Sequence, residues 1–219
     1  MKIERIINMP KIHRIVNSVF ESNTFIISKG NNCWIIDIGD IEKVHNYIQN
    51  NYNLKGIFIT HSHFDHIYGL NKLIEHYSDC TIYISESGKE GLFDDKRNFS
   101  LYHEQPLNFK GVNIHVVQNG ECIDLFDDIK MECFYTPGHD TSCMTFRCGK
   151  YLFTGDSYIP NEKPVTKLKG GNKEDYEISL KKILSLIDSD TVVCPGHGEI
   201  AINNKKCLNH HYEIKPYEA

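Results

Sequence analysis

The segment Thr60-His61-Ser62-His63-Phe64-Asp65-His66 places four potential metal ligands within six positions, directly after the apolar run Gly56-Ile57-Phe58-Ile59. Imidazole and carboxylate groups suit zinc and its transition-metal relatives. In an extended or tightly turned segment His61 and His63 point the same way, because side chains alternate with period two. Asp65 and His66 then start the next turn and can face a second ion. Such groups are not buried together without partners, since an unpartnered polar or charged group costs several kcal/mol. A solvated histidine-rich loop is the alternative, and three downstream residues argue against it. His139, Asp156 and His197 each follow a glycine, Gly138, Gly155 and Gly196, just past an apolar strand-like run. Glycine there lets the backbone turn sharply and approach a compact site. A lone histidine at a strand end is ordinarily structural; the set of seven is the signal.

Delivering these residues to one place requires strands that end on a common rim. Ile15-Val16, Thr24–Ser28 and Cys33–Asp37 read as early strands, the last two joined by a Gly30-Asn31 turn as a hairpin. Asp40 is placed to cap a helix that carries Ile41, Val44 and Ile48 at helical spacing. Gly56–Thr60 is the strand feeding the histidine loop. A helix to about Tyr77, a strand at Thr81–Ile84 and a short helix over 86–93 capped by Ser85 follow, which argues for an α/β layered domain. Residues 94–110 read as a long loop and a candidate lip of the site. Strands resume at Val112–Val117, where His115 reads as structural, and at Lys130–Thr136, which runs into Pro137-Gly138-His139. Ser142–Arg147 and Lys150–Thr154 form another hairpin, ending at Gly155-Asp156. A second long loop spans 159–172. A helix over about 173–187 should pack through Ile178, Leu180, Ile183, Leu184 and Ile187. Thr191–Cys194 is the last strand and ends at Pro195-Gly196-His197.

At 219 residues the chain suits one well-buried core, so a single domain over 1–219 is expected. A net charge of -5 gives no electrostatic reason to expect a nucleic-acid or membrane partner. The N-terminal residues lead into no long apolar segment, so neither a signal peptide nor a membrane helix is expected. None of the eight cysteines forms a CxxC pair, and most sit in apolar runs. They read as reduced core residues of a cytoplasmic protein rather than a disulfide framework.

The ordered motifs resemble those of the metallo-β-lactamase superfamily. The HxHxDH motif is His61-Ser62-His63-Phe64-Asp65-His66, followed by Pro137-Gly138-His139, Thr154-Gly155-Asp156 and Pro195-Gly196-His197. The resemblance runs from about residue 12 to 200. It implies an αββα sandwich of two mixed β-sheets flanked by helices, with two ions in a cleft at one edge. By the same resemblance His61, His63 and His139 hold the first metal; Asp65, His66 and His197 hold the second; and Asp156 bridges them. Two Zn2+ per chain are expected, with Fe or Mn as alternatives. Zinc lowers the pKa of bound water to about 7, so a hydroxide is available to attack a small ester, thioester or lactone. Asp65 would orient that hydroxide.

Within the superfamily the seven-residue set looks glyoxalase II-like or lactonase-like, and hydroxyacyl-thioester hydrolysis is the leading expectation. The chain ends soon after His197, so a short, single-domain relative without the glutathione-holding helical region is expected. Tyr158 resembles the lactonase tyrosine that hydrogen-bonds a substrate carbonyl. Lys163, Lys167 and Lys169 lie where glyoxalase II-like enzymes carry basic substrate contacts; Arg97, His103 and His210-His211 are further candidates. The alternative readings are a persulfide dioxygenase-like mononuclear iron enzyme, a lactonase and an RNA-processing nuclease. The expected partner is a small-molecule substrate.

Overall fold

The computed structural model describes residues 9–104 and 106–202. Its first sheet is ordered β1 (Lys11–Val16), β2 (Asn23–Lys29), β3 (Asn32–Ile36), β4 (Asn53–Phe58), β5 (Thr81–Ile84) and β6 (Ile114–Val116). The first three strands pair antiparallel and the rest parallel. Its second sheet is ordered β12 (Ala201–Ile202), β11 (Val192–Pro195), β10 (Tyr151–Gly155), β9 (Met144–Cys148), β8 (Ile129–Tyr135) and β7 (Cys122–Phe126). Only β10 and β11 are parallel in that sheet. Both sheets are therefore mixed.

The apolar runs of β2, β3 and β4 are continuous because both faces of the first sheet are covered. Ile26, Ile35 and Ile57 pack outward with residues of α1 (Ile41–Ile48) and α3 (Leu70–His76). Their neighbours Phe25, Ile27, Trp34, Ile36 and Phe58 point inward onto Met131, Phe146, Phe153 and Cys194 of the second sheet. The outer side of the second sheet carries α5 (Lys173–Ser185), tied by Lys182 Nζ to the Tyr135 carbonyl. The result is the helix–sheet–sheet–helix layering expected from the sequence. Two shorter helices, α2 (Phe64–Ile67) and α4 (Glu86–Leu92), complete it, and Ser85 caps α4 through the Gly88 amide at 3.1 Å.

Several expectations change in detail. β7 was not expected: its Cys122-Ile-Asp-Leu-Phe pattern is short and interrupted by charge, and it forms by hairpin pairing with β8. Asp40 sits at the start of α1 without capping it. Its carboxylate instead takes the Ser18 amide and hydroxyl, the Tyr68 hydroxyl and the Lys43 ammonium. Helix α5 buries Tyr176, Ser179 and Ile183, while Ile178 is 65% exposed. Among the described residues of 94–110 there is one 3-10 turn (Ser100–Tyr102), and Leu107 and Phe109 join the outer core. Seven cysteines are free among the described residues, six of them buried and Cys122 exposed. His210, His211 and Cys207 lie outside the described residues, as do the first eight. Among the described residues no helix is long and apolar enough to cross a membrane.

Candidate metal centre

The seven expected residues meet at one edge of the sandwich. Strand β4 and α2 deliver His61, His63, Asp65 and His66; the segments after β8, β10 and β11 deliver His139, Asp156 and His197. Three overlapping groups have ligand atoms within 4.8 Å of one another: His61/His63/His139, His61/His66/Asp156 and Asp65/His66/His197. Asp156 lies between them, with Oδ1 3.5 Å from His66 Nε2 and Oδ2 3.5 Å from both His139 Nε2 and His197 Nε2. Asp65 Oδ2 is 3.2 Å from His66 Nε2 and 3.1 Å from His197 Nε2.

The glycines explain how the chain approaches so closely. A Cβ on Gly196 would stand 2.1 Å from Asp156 Oδ1 and 2.9 Å from His66 Cε1. Gly138, at φ +132°, would drive a Cβ to 2.3 Å from the Tyr176 backbone at the start of α5. No other residue fits either position without moving the site or the helix.

Partners behind the rings set the tautomers. His139 Nδ1 donates to the Val165 carbonyl at 2.8 Å, and His197 Nδ1 donates to the Phe20 carbonyl at 2.9 Å. His66 Nδ1 donates to Asp37 Oδ2 at 2.9 Å. Thr60 gives its hydroxyl proton to Asp37 Oδ2 at 2.7 Å, so its oxygen accepts from His61 Nδ1 at 3.1 Å. In each case Nε2 is left facing the cluster, as in histidines that ligate metals. Asp37 is the residue that sequence reasoning missed. It occupies a left-handed conformation at φ +54°, also takes the Thr60 amide at 2.7 Å, and so ties two rings of the cluster together.

The charge balance is uneven. Burial lowers the pKa of His61, helped by His66 and His63, and burial likewise lowers that of His139. Burial acts downward on His66 too, but Asp65 and Asp156 outweigh it and raise it well above the ordinary value. For His197 burial is outweighed by hydrogen bonds to Asp156 and Asp65, which raise it to about 9. Burial pushes Asp65 and Asp156 up, yet His66 and the other rings hold both well below the carboxylate range.

This donor set fits metal ions. His61 Nε2 and Asp156 Oδ1, both facing the cluster, are buried without a hydrogen-bond partner, a condition that costs about 1–3 kcal/mol per group. His63 Nδ1 faces His139 Nε2 at 3.0 Å, and His66 Nε2 faces His197 Nε2 at 3.3 Å. Two ring nitrogens this close set like against like, proton against proton or lone pair against lone pair, unless one donates to the other, and a metal ion between them would replace that opposition with two ligand bonds.

Other candidates divide. A small cavity beside the cluster is lined by His139, Asp156, Glu162, Lys163, Val165 and Tyr176, among others. Lys163 is therefore at the site, whereas Lys167 and Lys169 are exposed and do not line that cavity. Tyr158 has its carbonyl bonded by Thr154 Oγ1 at 2.6 Å. Tyr176 is the tyrosine on the cavity wall; burial and then the neighbouring Tyr158 raise its pKa to about 12, which keeps the phenol protonated. His103 stacks on Phe64 at 4.0 Å, and Phe99 meets His63 edge-on at 4.9 Å, so the 94–110 loop does border the site. Arg97 is instead held by Glu90 and Ser87. His115 pairs with Glu121 away from the cluster, as expected of a structural histidine.

Comparison with known proteins agrees with this geometry. A family model for the metallo-beta-lactamase superfamily matches residues 19–197. A hydroxyacylglutathione hydrolase from Tolumonas auensis is 28% identical over 186 residues, which cover 84% of this chain. The match spans 64% of that relative's length, less than two thirds. The crystal structure of BLEG-1, a B3 metallo-beta-lactamase, superposes with a TM-score of 0.80 at 22% identity, over 87% of this chain and 93% of that one. TTHA1623 in a di-iron-bound form gives 0.74 at 24% identity, over 87% and 94%. ETHE1 from Myxococcus xanthus gives 0.70 at 20% identity, over 87% and 79%. At these identities the structures share the fold alone. With 179 of 219 residues inside the family match (19 to 197), the chain belongs to the metallo-beta-lactamase superfamily, whose members are mostly metallo-hydrolases.

Proposed function

We propose that this protein is a dinuclear metal-dependent hydrolase of a small ester, thioester or lactone, with a hydroxyacyl thioester as the leading substrate class. The observation that carries the reading is Asp156, whose carboxylate lies within reach of both histidine groups while one oxygen stays buried and unpartnered. His61, His63 and His139 would hold one ion, Asp65, His66 and His197 the other, and Asp156 would bridge. Bound zinc would supply water activation at neutral pH and polarisation of the substrate carbonyl. The chain's own groups would do the rest. Asp65, held in its anionic form by His66 and His197, is an acceptor able to orient a water rather than a general base. The phenol of Tyr158 would donate to the substrate carbonyl, with the protonated Tyr176 beside it. Lys163 at the cavity wall would meet an anionic part of the substrate. The hydroxyacylglutathione hydrolase relative supports the thioester class. A small-molecule substrate and a cytoplasmic setting belong to the same proposal.

One observation favours a second reading. His61, His139 and Asp156 make a two-histidine, one-carboxylate set: His61 is grouped within 4.8 Å with each of the other two, and His139 Nε2 is 3.5 Å from Asp156 Oδ2, which is the donor set of non-haem iron oxygenases. Metal content per chain, measured on protein purified without chelator or added metal, separates the two. Two zinc ions and turnover of a thioester or lactone panel support the hydrolase. A single iron, with oxygen consumed in the presence of a persulfide, replaces it. Hydrolysis that persists in metal-free protein sinks the metal mechanism altogether.

A further inference from the structure

Asp140 follows His139 and lies outside the seven-residue cluster. It is buried, at 6% exposure. Its Oδ1 accepts from the Ser142 amide at 2.7 Å and from the Ser142 hydroxyl. Ser142 Oγ in turn accepts from the amide of Ser62, between His61 and His63, at 3.1 Å. The second oxygen, Oδ2, is 3.7 Å from His63 Nε2. That nitrogen is buried and has no hydrogen-bond partner, while Nδ1 on the other side of the ring faces His139 Nε2. Room for Oδ2 depends on Gly170, where a Cβ would stand 2.2 Å from it. His66, His139 and His197 each have an acceptor behind the ring at 2.8–2.9 Å. For His63 the corresponding acceptor is this carboxylate, about half an ångström beyond hydrogen-bond range.

We propose that Asp140 is the positioning residue of His63: it accepts a hydrogen bond from Nε2–H, keeps the proton on that nitrogen, and so presents Nδ1 to the first metal position. The inference rests on the metal-centre reading. A carboxylate behind a ligating imidazole fixes the tautomer and raises the basicity of the ligand nitrogen. A charge-assisted bond does this more strongly than a backbone carbonyl. The Ser142 bonds hold Asp140 by its other oxygen, leaving Oδ2 to the ring.

The test is a titration of metal-free protein with Co2+, followed by its visible absorption, alongside thermal melting of the metal-free forms. Asp140→Asn keeps the shape, and its amide oxygen can still accept from Ser142. Its NH2 would then face His63 Nε2 as a donor, which favours the wrong tautomer. The expected result is a 10–100-fold loss of affinity for one Co2+ and an altered spectrum, with the melting temperature nearly unchanged. Ser142→Ala loosens the clamp but keeps the carboxylate, so it should lower the melting temperature and leave affinity within about threefold of the parent. Wild-type Co2+ affinity in Asp140→Asn overturns the proposal. So does an equal loss in both variants, which would assign the effect to the loop clamp. If the unmutated protein binds no Co2+, the metal-centre reading itself falls, and this inference with it.

Discussion

Asp37 illustrates how a residue outside the ligand set can govern two of its rings. Its two oxygens serve the Thr60 amide, the Thr60 hydroxyl and His66 Nδ1. Asn tolerates the left-handed backbone that Asp37 occupies, so Asp37→Asn isolates the charge from the conformation. It should remain folded and lose about 10–100-fold in metal affinity; a calorimetric metal titration reads this, and unchanged affinity would show that Asp37 only shapes the turn. The rings give a pH prediction. Metal ligation needs neutral imidazoles, but His66 and His197 are raised, so the metal-free protein carries protons there at neutral pH. Apparent metal affinity should climb as pH rises from 6.5 toward about 9, with proton release visible as buffer-dependent heats. The metal-free fold should behave oppositely: the His197 contribution is full below 6.5 and is lost as pH rises through about 9. The seven ligand candidates were legible because each carried a local sign, tight spacing or a preceding glycine. Asp37 carried none. It sits at a strand end like many others, and its partners are 23 and 29 residues away. Only the folded chain brings them together.

The strands were easier to read than the helices' faces. A continuous apolar run such as Phe25-Ile26-Ile27 needs two covered sides, and the sandwich supplies both. Helix α5 was misread because its apolar residues outnumber the ones it buries. Its inner face includes Tyr176, against Gly138, and Ser179, whose hydroxyl bonds the Pro137 carbonyl at 2.6 Å. Both contacts brace the segment that carries His139, so the helix trades apolar packing for support of that turn. β7 escaped notice for a related reason: a short, charged segment becomes a strand through its partner, not its own pattern. Two substitutions separate the two faces of α5. Ile183→Ala, at a position with 0% exposure, should cost about 2–5 kcal/mol in denaturant unfolding. Ile178→Ala, at 65% exposure, should stay within about 0.5 kcal/mol. The reverse ranking would mean that α5 is rotated about its axis relative to the arrangement described.

At the scale of the molecule, the cluster is where the two sheets are sewn together. The Thr60 carbonyl, past β4, accepts from the Met144 amide of β9 at 2.8 Å. The Asn23 backbone amide of β2 donates to the Gly196 carbonyl at 2.6 Å, and its side-chain amide donates to the Pro195 carbonyl of β11 at 2.9 Å. Away from this edge the two sheets are joined by side-chain packing and by side-chain bonds such as Trp34 Nε1 to the Leu125 carbonyl at 3.0 Å, none of which needs a metal. Metal binding should therefore stabilise a fold that already exists, and should do so locally. At a free metal concentration 100 times Kd the linkage contributes about 2.7 kcal/mol. For a chain of this size that is a rise of about 5–11 °C in melting temperature. His61→Ala should melt near the metal-free parent and respond far less to added metal, since it removes a donor shared by two of the ligand groups. Hydrogen exchange gives the sharper reading. Added metal should slow exchange most at the amides of residues 59–67, 138–144, 155–157 and 195–197, and least along the interior of β2 and β3, whose packing does not involve the site. A uniform gain across both sheets would mean that the sandwich itself forms only around the metal. No gain at those four segments would mean that the ions bind elsewhere on the chain.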